Sequence, residues 1–324
     1  MSAASDTGRE PDCDASPEAE TQALRAEIAR LREDYDDLKL LYEATIEHGE
    51  AVEDQLAEKN ILLQQTQARL EDELNDAARY VISILPQPRD VAPQTEWLLV
   101  PSTELGGDSF GYHEIDEDHF AVYLLDVCGH GVGAALLSVT VINVLRASAL
   151  PHADFRDPSA VLAALNDAFP MEKQNDMFFT IWYGVYRRST GELSFASGGH
   201  PPAIHLRDRA DGTTESTLLS SAGGMAIGAI AGIEYDCETV AIEPGDRLLV
   251  LSDGTYEVDT TAETMLTFED LVTFVRDTPG GDRPKSVFDW VRGIHGTTDS
   301  GGDQAGGLDG DALPDDFSLL RAAF

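Results

Sequence analysis

The sequence predicts a mixed α/β domain of stacked antiparallel sheets flanked by helices, carried behind one long coiled-coil helix. Three observations predict it. Apolar residues repeat at alternating spacings of four and three through the early part of the chain. Beyond residue 93, short β-rich runs are joined by hairpin signals and interspersed with helix pairs. Four Asp-bearing segments sit at or near the ends of apolar runs, where a folded sheet delivers side chains to a shared edge.

Taken in order, residues 1–20 are rich in Ser, Asp, Glu and Pro and are expected to be a disordered tail. Residues 21–90 form the predicted coiled-coil dimerisation and signalling helix. Leu24, Ile28, Leu31, Tyr35, Leu38 and Tyr42 mark an a/d seam. The seam weakens near Thr45 and Gly49 and resumes through Val52, Leu56, Leu63 and Leu70. At the same spacing it reaches Ala77, Tyr80 and Ile84. Pro86 and Pro88 then stop the helix, because proline removes a donor and clashes with the preceding turn. A helix this long with one narrow stripe is poorly stable alone, so a homodimer is expected.

Residues 91–324 are predicted to form the folded domain. Strands are expected at 97–100, 119–126, 178–186, 193–196, 237–242, 247–252 and 317–321. The Arg-Ser-Thr-Gly between the third and fourth reads as a hairpin turn. Helices are expected at 133–148, 158–168, 268–276 and 284–293, with Pro158 in the favoured first-turn position. A Gly/Asp-rich stretch between Gly296 and Pro314 reads as a mobile loop.

Composition narrows the partners. The 324 residues are 42% apolar, enough for a sizeable core, and carry a formal net charge of −37. That charge argues against nucleic acid and anionic membrane, since binding phosphates needs a basic surface. Three widely spaced cysteines, Cys13, Cys128 and Cys237, fit a reducing cytosol better than a disulfide framework. No signal peptide and no membrane span is expected, and the predicted location is cytoplasmic.

The acidic segments are Gly106-Gly107-Asp108, Asp126 through Gly131, Ser252-Asp253-Gly254 and Asp315-Asp316-Phe317. One Asp beside a Gly is ordinarily a turn. Four together suggest a carboxylate cage, which hard divalent cations such as Mg²⁺ or Mn²⁺ prefer. Glycines after Asp126 let the chain turn tightly enough for the Val127 carbonyl to face a metal beside that carboxylate. Gathered at one sheet edge, such residues would hold two cations bridged by a water, the arrangement that drives in-line phosphoryl displacement without a covalent intermediate. Cys128 lacks the Arg of a Cys-x5-Arg phosphate loop and reads as a buried small residue. His130 reads as a histidine packed in a Gly turn, and His200, in Gly-Gly-His-Pro-Pro, as part of a rigid turn.

From about Trp97 to Phe324 the chain resembles the bacterial SpoIIE-type serine/threonine phosphatases, a branch of the metal-dependent PPM phosphatases. The resemblance rests on Glu-Leu-Gly-Gly-Asp-Ser-Phe, Leu-Leu-Asp-Val-Cys-Gly-His-Gly, Ala-Ser-Gly-Gly-His-Pro-Pro, Leu-Ser-Asp-Gly-Thr-Tyr-Glu and Asp-Asp-Phe-Ser-Leu-Leu, in that order. It implies a PPM-type β-sandwich flanked by helices (α-β-β-α). It also implies Asp108 and Asp126 as central ligands, Val127 through its carbonyl, and Asp253 and Asp315 on one of two Mn²⁺ or Mg²⁺ ions. By position, Asp316 is a neighbour rather than a clear ligand. The implied substrate is a phosphoserine or phosphothreonine protein, a STAS-type anti-anti-sigma regulator of a partner-switching pathway.

Two departures stand out: Cys128 takes a place often held by Ser, and the Gly/Asp-rich loop before Asp315 is long. Leu-Gly-Gly-Asp-Ser-Phe also resembles the diguanylate cyclase signature, but Ser109 replaces its second acid and the other acidic segments go unexplained. No asparagine-rich ATP box supports a histidine kinase. The non-enzyme alternative is a catalytically inactive phosphatase-fold module acting as a dimeric binding protein, and its expected mark, a missing ligand Asp, is absent from the sequence.

Overall fold

The computed structural model describes residues 17–102, 105–222, 224–260, 265–296 and 313–324. The disordered-tail reading at residues 1–16 and the mobile-loop reading at 297–312 lie outside the described residues. The chain divides into two compact units, Met1–Glu71 and Asp72–Phe324.

Helix α1 spans Pro17–Ile84, so it begins inside the segment read as a tail. Residues 18–73 are all exposed, the seam residues Leu24, Ile28, Leu31, Tyr35 and Leu38 among them. The last turns behave differently. Leu74, Ala78 and Val81 are half-buried and Leu85 is buried, whereas Tyr80 is 69% exposed. Of the expected seam residues in these turns, Ala77 and Tyr80 are exposed in the single chain and Ile84 is half-buried, so the stripe that faces the domain is a different one. Spacings of four, three and four put Leu74, Ala78, Val81 and Leu85 on one stripe, and Leu85 joins the domain core. The helix exit is fixed by side chains: Trp97 Nε1 donates to the Pro86 carbonyl at 2.9 Å and the Tyr112 hydroxyl to that of Gln87 at 2.6 Å. The Arg146 guanidinium donates to the Ile84 carbonyl at 3.1 Å, satisfying one of the orphan acceptors at the helix end.

The domain is a four-layer α-β-β-α sandwich. One sheet has the order β1 (Gln94–Val100), β10 (Phe317–Ala323), β9 (Arg247–Leu251), β6 (Ala203–Asp208), β7 (Thr214–Leu219). The other has β2 (Ser109–Glu114), β3 (His119–Val127), β4 (Phe179–Arg187), β5 (Glu192–Gly198), β8 (Glu238–Ala241). Paired strands run antiparallel throughout, and β4 and β5 form the predicted hairpin. Helices α2 (Val132–Arg146) and α3 (Pro158–Ala168) cover one outer face. Helices α4 (Phe268–Asp277) and α5 (Pro284–Gly296) cover the other. Asp157 caps α3 by accepting from the Ser159 and Ala160 amides, and Thr267 with Asp270 forms a capping box on α4.

Three strands escaped the sequence reading. β2 is interrupted by Gly111, β6 follows two prolines and carries His205 and Arg207, and β7 is a polar edge strand with mostly exposed side chains. None offers the apolar run or clean alternation that marks a strand. Strands buried on both faces read instead as continuous apolar runs, as β3 does.

Alternation along the strands decides what reaches the site. Phe110, Phe120, Val122, Leu124 and Trp182 face Leu248, Val250 and Leu320 between the sheets. Their odd-numbered neighbours Tyr123, Leu125 and Val127 turn outward to the α2–α3 layer. Side chains repeat every second residue, so Asp108, Asp126, Thr180, Ser252 and Ser318 continue the inner face past the last apolar layer. Trp182 is fully buried in this layer and donates to the Leu219 carbonyl at 3.1 Å. Replacing it with Ala is expected to cost about 3–5 kcal/mol, read by chemical denaturation. Leu136→Ala, at a residue 61% exposed, should change stability by less than about 0.5 kcal/mol.

Candidate metal centre

The four predicted Asp residues reach one end of the sandwich from four different segments. Asp108 lies at the entrance to β2 and is buried; Asp126 ends β3 and is half-buried. Asp253 opens a 3₁₀ turn after β9, and Asp315 precedes β10, exposed. Each sits where a strand stops, so the sheet edges bring together residues up to two hundred positions apart in sequence. An open pocket beside them is lined by Ser102, Asp126, Val127, Cys128, Gly129, His130, Pro314 and Asp315.

The electrostatics are those of anions crowded without compensation. Burial first, then the charge of Asp126, holds the Asp108 carboxyl well above the usual carboxylate range. Burial, with the charges of Asp253, Asp315 and Asp316, pushes Asp126 up to about 7. Burial and Asp315 raise Asp253. Hydroxyls of Ser252 and Ser318 pull Asp108 partly back, yet its Oδ2 is buried without a hydrogen-bond partner. A buried unpaired carboxylate oxygen costs on the order of 1–3 kcal/mol, so it marks a place built for another group.

The donor set fits a hard divalent cation. It is all oxygen, mostly carboxylate, and it carries the negative charge such an ion offsets. Asp108, Asp126, Asp253, Asp315 and the Val127 carbonyl are the atoms available. Among the described residues, no three carboxylate, imidazole or thiol groups converge in ion-coordinating geometry.

Other residues occupy places the sequence left open or read differently. His130 is exposed at the pocket wall rather than packed in its turn. Cys128 is half-buried and lines the same pocket, its Sγ accepting from the Phe178 amide at 3.2 Å, so it is not the inert buried residue expected. His200 keeps to its turn: its amide donates to Ser197 Oγ at 3.1 Å, and that hydroxyl donates to the His200 carbonyl at 3.0 Å. Its Nδ1 lies 2.8 Å from Thr180 Oγ1, and Thr180 stands opposite Asp126 in the β3–β4 register. Burial lowers the His200 pKa to about 3, leaving the ring neutral. Ser102 was not anticipated, because nothing in the sequence sets it apart from a loop serine. A larger hollow elsewhere contains Asp208, Arg247, Arg276 and Asp277. Arg247 is paired with Asp208 and Arg276 with Asp277, so it offers no converging set of open groups.

Comparison with known proteins identifies the family and the fold. Residues 116–324 match the family Stage II sporulation protein E (SpoIIE). The chain is 26% identical over 226 residues to phosphoserine phosphatase RsbU of Bacillus subtilis (strain 168) and 28% identical over 190 residues to phosphoserine phosphatase RsbP of the same organism. These alignments take in 69% and 57% of this chain, but only 63% and 44% of the relatives' own lengths. Among solved structures, the SiaA-PP2C domain of Pseudomonas aeruginosa superposes with a TM-score of 0.63 at 21% identity, covering 80% of this chain and 98% of that one. The PP2C phosphatase domain of Bacillus subtilis SpoIIE, with a fragment of its regulatory domain, gives a TM-score of 0.55 at 16% identity, over 71% of this chain and 62% of that one. At these identities the structures establish the fold, which is that of PP2C. With the family matched over residues 116–324 and its fold reproduced layer by layer, the chain belongs to the SpoIIE family.

Proposed function

We propose that this chain is a metal-dependent protein serine/threonine phosphatase. The observation that carries the reading is the gathering of Asp108, Asp126, Asp253 and Asp315 beside one open pocket in a SpoIIE-family domain. The reaction is R–O–PO₃²⁻ + H₂O → R–OH + HPO₄²⁻: water oxygen bonds to phosphorus as the bond to the seryl or threonyl oxygen breaks, and that oxygen leaves protonated. Two divalent ions, Mn²⁺ or Mg²⁺, when bound, supply the activation of water and the neutralisation of phosphoryl charge.

The chain's own residues have distinct parts. Asp108 and Asp126 approach from the inner face and are the central ligands; Asp253 and Asp315 close the cage from the opposite sheet, with the Val127 carbonyl alongside. Burial favours the protonated forms of Asp108 and Asp126, and their deprotonated oxygens are the ones that would hold a cation. His130, at the pocket wall, is available to orient a phosphate.

The substrate class follows from the relatives. RsbU and RsbP carry the name phosphoserine phosphatase. By extension this chain acts on a phosphorylated protein, a STAS-type anti-anti-sigma regulator in a partner-switching pathway, in the cytoplasm. No helix among the described residues is long and apolar enough to cross a membrane. The exposed stripe on α1 is paired with that of a second copy. Its last turns carry the signal: Ala78, Val81 and Ile82 line a small cavity together with Leu105, Gly106, Asp108 and Asp316.

Three outcomes test this. Phosphate release from a phosphoserine peptide should require Mn²⁺ or Mg²⁺ and fall at least about 100-fold in Asp126→Asn, on the order of 3 kcal/mol of transition-state stabilisation. Equal rates in the two proteins would leave the binding-module reading standing. Calorimetry of Mn²⁺ binding in buffers of different ionisation heat should register proton release near pH 7. Ligands must be deprotonated and Asp126 titrates at about 7 in the metal-free chain, so affinity should climb as pH rises through 7 and level off above it. Light scattering should find a dimer that becomes a monomer in Leu31→Glu/Leu38→Glu, and removing residues 1–70 should change phosphatase rate or its regulation.

A further inference from the structure

Asp316 was the acidic residue the sequence could not place, and the structure gives it more to do than any of its neighbours. It is only 6% exposed. Its Oδ1 accepts from the Ser102 amide at 2.8 Å and from the Ser102 hydroxyl at 3.0 Å. Its Oδ2 accepts from the Asp108 amide at 3.5 Å. Both carboxylate oxygens are therefore turned to donors on the segment that delivers Asp108. The backbone of the same residue binds its own sequence neighbour and reaches one other segment. Its amide donates to Asp315 Oδ1 at 2.8 Å, and its carbonyl accepts from Ser252 Oγ at 3.1 Å, one residue before Asp253.

Close packing around Asp316 shows that this contact is built in. A Cβ on Gly106 would lie 1.9 Å from Asp316 Oδ2, and the next two atoms it would meet belong to the same carboxylate. A Cβ on Gly254 would lie 2.2 Å from the Asp316 carbonyl oxygen. Two of the glycines that looked like generic turn formers thus admit one residue from either side. The Ser102 hydroxyl donates to this acceptor, and a buried carboxylate is retained only where such donors are supplied.

We propose that Asp316 is a positioning residue, a clamp that fixes the Asp108 and Asp253 segments against its own, which carries Asp315, and so presets the spacing of the cation-holding carboxylates. The proposal deepens the phosphatase reading and rests on it for the ligand roles of those three residues. The part proposed for Asp316 is support of the ligands: its carboxylate is turned to donors of Ser102 and Asp108. It acts through geometry: preorganised ligands bind an ion without first being ordered.

The discriminating variant is Gly106→Ala, which displaces the clamp while leaving every carboxylate and its charge in place. Mn²⁺ affinity by calorimetry is expected to fall about tenfold or more in Gly106→Ala and in Asp316→Ala, the range seen when a ligand's support is lost. In the Asp316→Ala background, adding Gly106→Ala should change affinity less than about twofold, because the atom it collides with is gone. In metal-free protein, amide hydrogen exchange of the peptide covering 105–108 should accelerate about tenfold or more in Asp316→Ala. Peptides from β4 should be unchanged.

Undiminished Mn²⁺ affinity in Gly106→Ala, fully additive losses in the double variant, or exchange accelerated equally across β4 would each overturn the clamp. The metal-free exchange arm keeps the two readings apart. If Asp126→Asn binds Mn²⁺ as tightly as the parent, the metal reading fails, whereas the exchange pattern still decides whether Asp316 holds the segment.

Discussion

Crowding carboxylates at one end of an apolar sandwich is the constraint on which the rest depends. At an effective dielectric of about 20, two like charges 4 Å apart repel by about 4 kcal/mol, and several such pairs would open any flexible loop. The chain resists by fixing each Asp at a strand end, where the sheet ladders hold the backbone. Burial first, and then the charges of Asp253, Asp315 and Asp316, push Asp126 up to about 7, which favours its protonated form over a crowded anion. Strain of this kind concentrates where a protein binds something that relieves it. A small cation would relieve it here, as the proposed function requires.

The four-layer architecture follows from the same need. A sheet covered by helices on one side and by a second sheet on the other has two apolar faces, and only its ends are free for polar groups. Trp182, Leu124 and Val250 fill the space between the sheets, and the polar residues take over where these stop. Ser252 and Ser318 are the transition: Ser252 Oγ accepts from the Ser318 amide at 3.1 Å and donates to the Asp316 carbonyl at 3.1 Å. The layer between core and carboxylates is thus made of hydroxyls, which satisfy backbone groups on one side and approach the aspartates on the other.

Much of this was legible in the sequence. β3 and β9 announce themselves as apolar runs, and each delivers an Asp at its end, so Asp126 and Asp253 could be found without coordinates. Pro158 marked the start of α3 by its first-turn position, and the cap that Asp157 supplies lies just before it. What was hidden depends on pairing across the chain. β2, β6 and β7 become strands because their neighbours offer ladders, not because their own residues demand it. The helix face used by Leu74, Ala78, Val81 and Leu85 is selected by the domain it packs on, whereas the heptad seam reflects the exposed part of α1. The role of Asp316 was invisible because its partner Ser102 lies 214 positions away and carries no signature of its own.

Strand β1 ties these observations together. At its middle, Trp97 receives the end of α1 through the Pro86 carbonyl and stacks obliquely on Phe110 of β2 at 4.9 Å. At its far end, Val100 pairs with Phe317, and the chain runs on through Pro101 to Ser102, whose amide and hydroxyl meet Asp316. The exit of the long helix and the clamp beside the carboxylates therefore hang on a single strand, hydrogen-bonded along its length to β10. A displacement of the helix exit has to be absorbed by Trp97 or passed along β1. Trp97 packs against a core that tolerates little movement, because interiors are close-packed and compress poorly. The strand is the stiffer route toward Ser102, so β1 leads from the helix exit to the Asp316 carboxylate, whereas Asp126 is held on β3 in the other sheet.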